Sequence, residues 1–303
     1  MPRVPKLFID KLVITVRFDS SRAEAVRQAI EDSFEWSDAI EPIDIDISNY
    51  SENFQFVAPN GHKATLQMGP RNRRNNNFRL EYSPNNLGAA GRAALGEYLR
   101  DTLGDGYLTD IRNGRLTRLD LAFDVRRIRL KDLMIVDLRG RKTSIIRGEQ
   151  GEVETYYLPF NEKNRCKNQF CIYDKLKERI DKEGPISASR RPADWVRFEY
   201  RHRSLKGYTL DTLFRRMENP FRDNFSVKQF GITDAPIDAD NLRLFFDACR
   251  LAGVDSVLEE IPDTQTRDIY SLAYRTFPVP YFWRRRTSIW AGFQAAVENA
   301  KPE

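Results

Sequence analysis

Apolar and polar residues alternate with period two along Leu12-Val13-Ile14-Thr15-Val16-Arg17-Phe18, which predicts a strand. Ser20-Ser21 then opens a helical stretch through about Phe34. Short strands are predicted at Phe54–Val57, Ala64–Met68 and Phe78–Tyr82, separated by turn residues such as Pro59-Asn60-Gly61. Pro70–Asn77, rich in Arg and Asn, reads as a hairpin tip. Leu87–Leu103 reads as a helix ended by Gly104-Asp105-Gly106.

A second round of the same kind follows. Strands are predicted at Leu116–Val125, Ser144–Arg147, Val153–Leu158, Gln169–Tyr173 and Trp195–Arg201. A helix runs from Asp174 or Lys175 to about Lys182, and another over Thr209–Met217. The two rounds echo each other: Val16-Arg17-Phe18-Asp19 against Leu121-Ala122-Phe123-Asp124, and Phe78-Arg79-Leu80-Glu81-Tyr82 against Val196-Arg197-Phe198-Glu199-Tyr200. The expected fold is α+β, with one large, mainly antiparallel sheet from two similar halves and helices on one face. The halves are 9–106 and 115–225, within a domain of 1–235. From Asp238 the pattern turns helical, clearest over Asn241–Ala252 and Thr287–Ala300, and 236–303 is expected as a small C-terminal helical region.

Hydrophobic residues at 41% and charged residues at 31% describe a folded rather than a disordered chain. No apolar run is long enough for a membrane span and none follows the N-terminus as a signal peptide, so a cytoplasmic protein with no membrane partner is expected. Cys166, Cys171 and Cys249 are too few for a disulfide framework and read as reduced, packed thiols. The net charge is only +5, but the basic residues cluster at Arg71–Arg74, Arg139–Lys142, Arg197–Lys206 and Arg284–Arg286. Several stand beside aromatics or amides, as in Tyr281-Phe282-Trp283-Arg284. Cations neutralise phosphates and aromatic faces stack on unpaired bases, so the mixture suits single-stranded or distorted DNA. Each cluster alone reads equally well as a solvated surface.

Candidate chemistry lies on two strands. Side chains alternate faces, so Leu119, Leu121, Phe123 and Val125 point to the core while Arg118, Asp120, Ala122 and Asp124 share the other face. Likewise Val196, Phe198 and Tyr200 oppose Arg197, Glu199 and Arg201. If the strands are neighbours, Asp120, Asp124 and Glu199 meet on the polar face, as hard oxygen ligands suited to Mg2+ or Mn2+. A salt-bridged sheet face is the plainer alternative. Tyr208, nine residues after Glu199 and just past Gly207, is a nucleophile candidate at the start of a helix. Tyr200 faces the core, and Tyr173 has an uncertain face beside Lys175, which can reach a phosphate. His202, between Arg201 and Arg203, stands to contact phosphate or move a proton, or simply to lie at the surface. The chain lacks a paired-histidine metal motif and a Walker-type phosphate loop.

In order and spacing, Arg118-Leu119-Asp120-Leu121-Ala122-Phe123-Asp124, Ile172-Tyr173-Asp174-Lys175 and Arg197-Phe198-Glu199 resemble the replication initiation factor family. That family comprises the Rep_trans plasmid initiators and the rolling-circle initiators of filamentous phages. The resemblance runs from about Ile9 to Phe225. It implies an endonuclease that nicks one origin strand, keeps the 5′ phosphate on a tyrosine, and later rejoins the displaced strand. Carried over, Asp120, Asp124 and Glu199 form the acidic metal site and Lys175 is an electrostatic helper. Tyr208 falls within one residue of the nucleophile's position in the plasmid members. Arg71, Arg73, Arg74, Arg118, Arg197, Arg201, His202 and Arg203 would contact DNA. The implied partners are single-stranded and origin duplex DNA, a host superfamily 1 helicase and a second copy of the chain. A non-catalytic DNA-binding regulator of the same fold and an RNA-binding protein are the competing expectations.

Overall fold

The computed structural model describes residues 4–45, 48–72, 76–139, 141–149, 151–159, 167–184, 194–203 and 205–303. The first half comprises β1 (Leu7–Val16), α1 (Ser20–Asp32), β2 (Ile40–Pro42), β3 (Tyr50–Val57), β4 (Lys63–Pro70), β5 (Phe78–Tyr82), α2 (Pro84–Leu103) and α3 (Tyr107–Asn113). The second comprises β6 (Arg115–Arg126), β7 (Leu133–Asp137), β8 (Ser144–Arg147), β9 (Val153–Leu158), β10 (Asn168–Asp174), α4 (Lys175–Glu183), β11 (Trp195–His202), α5 (Leu210–Arg216) and β12 (Phe225–Gln229). Helices follow at α6 (Ala239–Ala252), α7 (Val254–Glu259), α8 (Thr264–Thr276), α9 (Tyr281–Arg284), α10 (Arg286–Trp290) and α11 (Phe293–Glu298).

Ten strands form one sheet in the order β2-β3-β4-β5-β1-β6-β11-β10-β9-β8, and β7 pairs with β12 in a second, two-stranded sheet. The long order reads the same outward from its central pair, β1 and β6. On each side the next strand is the last of a meander, as an internal duplication would give. Registers such as Ile14↔Leu80 and Leu66↔Leu80 put the apolar residues of β1, β4 and β5 on one face. Their alternates, Thr15, Gln67 and Arg79, share the other face.

By contacts the chain falls into two compact units that do not follow chain order. One holds Leu7–Ala122, Arg201–Glu218 and Gly292–Glu303. There α2, α3 and α11 pack on β1. The last residues of the chain are tied in, with the Tyr82 hydroxyl donating to the Ala300 carbonyl at 2.8 Å and Arg112 paired with Glu303 at 2.7 Å. The other unit holds Phe123–Tyr200 and Asn219–Ala291, with the residues before Leu7. One of its cores gathers Met134, Leu242, Phe245, Phe246, Cys249 and Phe277. Cys171 and Cys249 are free and buried, and burial pushes the Cys249 thiol up to about 12. Cys166 lies outside the described residues.

Aspartates start several helices where a backbone N–H needs an acceptor: Asp19, Asp174, Asp238 and Asp263 each accept from a first-turn N–H. The single helix expected over Thr287–Ala300 is instead two short ones, α10 and α11, separated at Ala291-Gly292. Glycine is the poorest non-proline helix former, so a helix is weakest there.

Candidate active site

The expectation that the two carboxylate-bearing strands neighbour each other in one sheet holds, because β6 and β11 are adjacent. Their apolar face is as predicted: Leu119, Leu121, Phe123, Val196 and Phe198 are fully buried. The opposite face is not open to solvent as alternation alone suggested. Asp120 is 1% exposed, Glu199 3% and Arg197 5%. An ionised group in such a place needs a partner.

Asp120 has one on its own strand. Arg118 Nε donates to both carboxylate oxygens at 3.0 Å, and Nη2 adds a third bond at 2.6 Å. Residues two apart on a strand share a face, which is why this forked pair forms. Asp124 is held by the second strand, accepting from Arg197 Nε at 2.7 Å and Nη2 at 3.1 Å. Asp120 and Asp124 are four residues apart, about 13 Å along a strand, so each serves its own guanidinium and one ion cannot bridge them directly. Among the described residues, no three His, Cys, Asp or Glu side chains are grouped as a metal site. A double-mutant cycle on Arg118→Ala and Asp120→Asn should give a coupling of about 1–2 kcal/mol by urea denaturation, discounted because Arg118 is partly exposed.

Arg126 lies 3.3 Å above the Trp195 ring, and burial lowers its affinity for a proton. Sequence reading missed this cation, although Arg126 ends the same strand as Asp124. Lys175 opens α4 and pairs with Glu178, which also holds Lys182. Burial works against the Glu178 charge, yet the two lysines prevail and keep its carboxyl below the ordinary range.

The three tyrosine candidates differ in access. Tyr200 is buried against Phe170, ring centroids 4.8 Å apart, and Tyr173 is buried on β10. Tyr208 is only partly covered. Its backbone is pinned to β6, the strand of Asp120, by the Leu116 N–H donating to the Tyr208 carbonyl at 2.9 Å. Gly207 before it has φ +78°, the left-handed region glycine reaches without strain, and the turn delivers Tyr208 to the start of α5. Thr209 then caps that helix reciprocally with Thr212.

Around the phenol, Arg216 lies 4.8 Å over the ring and the His202 ring sits edge-on, centroids 6.3 Å apart. Arg216 also donates to the Gly207 carbonyl, fixing the turn. Its place here was not read from the sequence; its signal was an i+8 spacing from Tyr208 across a capped helix. Burial holds the His202 imidazole below its ordinary value. Arg201 and Arg203 flank it at the end of β11, Arg203 exposed. Arg71 is exposed at the end of β4, whereas Arg73 and Arg74 lie outside the described residues.

No protein-family model and no curated protein matches the chain. Among the described residues, no helix is long and apolar enough to cross a membrane.

Proposed function

We propose that this chain is a rolling-circle replication initiator, which nicks and rejoins one origin strand through a covalent 5′-phosphotyrosine on Tyr208. The observation that carries the reading is the setting of that phenol: accessible, pinned to the strand of Asp120, under a guanidinium and beside an imidazole that burial keeps neutral. A phenol that attacks phosphorus must lose its proton and work close to positive charge. Here His202 takes the proton and the Tyr208 oxygen attacks. The bond from phosphorus to the 3′ oxygen breaks, and that oxygen leaves to become a hydroxyl. The 5′ phosphate stays on the tyrosine, and a 3′ hydroxyl attacking in turn reseals the strand.

Asp120, Asp124 and Glu199 would be the hard oxygen donors for Mg2+ or Mn2+, in exchange for the arginines that now occupy Asp120 and Asp124. A bound cation would supply charge to the phosphate oxygens. Arg216 covers the phenol ring, and Lys175 is a further cation suited to a DNA phosphate. Single-stranded and origin duplex DNA are the partners, with a superfamily 1 helicase and a second copy of the chain acting downstream. The test is relaxation of a supercoiled plasmid carrying the chain's own origin, with manganese present. Failure of the wild-type protein would sink the reading.

A second reading, a non-catalytic DNA-binding regulator, draws on the arginines that fill the Asp120 and Asp124 oxygens, as a structural face would. It predicts origin binding without relaxation.

The pH profile offers a separate check. His202 accepts a proton only when neutral, and its value lies below the ordinary 6.5. Nicking should therefore hold steady at and above neutral pH and fall only as the solution is acidified past that depressed value. In His202→Gln this acid limb should vanish, together with about a hundredfold of the rate. An unchanged profile in the variant would remove His202 from the mechanism.

A further inference from the structure

The polar face of the first half carries a second site that the nicking chemistry does not use. A pocket of about 310 Å³ opens on strands β3, β4 and β5, lined by Ser48, Asn49, Tyr50, Thr65, Gln67 and Arg79 among others. A second of about 240 Å³ shares Asn49, Tyr50 and Arg79 with it and adds Thr15, Asn76, Arg115 and Thr117. All these residues belong to one compact unit.

The floor is built rather than incidental. Gln67 is 5% exposed and Asn53 9%, and the Gln67 amide donates to Asn53 Oδ1 at 2.6 Å and to Ser48 Oγ at 3.0 Å. Arg79 donates to Gln67 Oε1 and to Glu81, which also accepts from Lys11 at 2.7 Å. Burial disfavours the Glu81 charge, but Lys11 and Arg79 outweigh it. A sheet face meant only for water has no reason to bury amides in a closed network, since each must be satisfied at the cost of its hydration. The network fixes the Arg79 guanidinium through two of its N–H groups and leaves it others to offer.

The two pockets differ in chemistry. The first presents amides, hydroxyls, a guanidinium and the Glu81 carboxylate, the donor and acceptor mixture that reads a base edge. Its size is at the small end of ligand sites, about 300–1,000 Å³, which fits one planar heterocycle. The second is lined by hydroxyls, amides and two arginines with no carboxylate among its lining residues, which favours an anion. An anion joined to a planar heterocycle is a nucleotide. We infer that these joined pockets take one unstacked nucleotide of a DNA single strand, its base over Gln67 and Thr65 and its phosphate at Arg115 and Thr117. The inference rests on single-stranded DNA being the partner, as proposed above, but not on Tyr208 or on any cleavage.

The test is binding of a fluorescein-labelled 12-nucleotide mixed-sequence single strand to the full chain in EDTA, over a series of salt concentrations. Thr65→Leu fills the base pocket, and Arg115→Ala removes an exposed cation; both should keep the wild-type melting temperature. Each should bind about fivefold more weakly or worse, as loss of one base contact implies. Only Arg115→Ala should flatten the salt dependence, by about 0.7 in log–log slope for one phosphate. Free deoxynucleoside monophosphate should compete with the strand for the wild type and not for Thr65→Leu. Wild-type affinity in both folded variants would overturn the inference, and so would a wild-type protein that ignores the strand. Pocket-dependent binding by a protein that never nicks would leave this site standing and remove the proposed function. Nicking with pocket variants that bind normally would do the reverse.

Discussion

Tyr208→Phe is expected to lose strand cleavage and covalent attachment by on the order of 10^4-fold or more, the scale seen when a nucleophile is removed outright. The substitution deletes one oxygen and keeps the ring that Arg216 covers and His202 abuts. Among the described residues its hydroxyl makes one long contact, 3.4 Å to the Arg216 carbonyl, so little folding energy rides on it. DNA binding and melting temperature should therefore match wild type, which separates chemistry from folding. The decisive measurement is mass spectrometry of the peptide left attached to a nicked oligonucleotide. An adduct on Tyr208 in the wild type, and none in the variant, is the expected result. An adduct on Tyr200 or Tyr173 would move the nucleophile. It would also require a local opening, because both rings are buried.

How far this site could be read from sequence depends on what kind of information each part needs. Strand β6 was legible because leucines and phenylalanine alternate with charge, and β5, β8 and β9 were placed residue for residue by the same signal. The adjacency of β6 and β11 was only a supposition of the sequence reading, and it is the sheet order that supplies it. Partners were not legible. Alternation puts Asp120 and Asp124 on one face but is silent on what covers that face, and both turned out to be engaged by arginines in different ways. Arg216 was missed although its helix and the Gly207 turn were read, because its fold back over the Tyr208 ring and onto the Gly207 carbonyl leaves no periodic signal. Strand β2 was missed because three residues are too few to alternate, and α3 because Tyr107–Asn113 is barely two turns. β12 alternates but β7 is a short continuous apolar run, and the two are some 90 residues apart in the chain, so only the tertiary fold brings them together. The Gln67 network was invisible for the same reason: Asn53, Gln67 and Arg79 come from three strands, and only their registers put them side by side.

Phe198→Ala is expected to destabilise the protein by about 3–5 kcal/mol, the usual range for emptying a buried aromatic site. Phe198 has no exposed surface and meets rings from three other parts of its unit, among them Phe225 of β12 at 6.4 Å. It stacks on Phe123 of β6 with centroids 5.0 Å apart and planes 3° from parallel, and it meets Phe282 at 5.3 Å and Trp283 at 5.9 Å on α9. Those neighbours belong to a rigid aromatic cluster, with Phe225 of β12 4.7 Å from Trp283, so the space left cannot collapse easily. A lower urea midpoint at unchanged slope is the readout, and Phe198→Leu should recover more than half of the loss because it refills most of the volume. The position also bears on the site. Phe198 sits in the strand between Arg197 and Glu199, and its ring anchors the backbone that aims both at the opposite face. Phe198→Leu should therefore cost cleavage rate as well as stability, measured well below its melting temperature. Full activity in a folded Phe198→Leu would mean that the polar face does not depend on this packing, and the link from core to site would have to be given up.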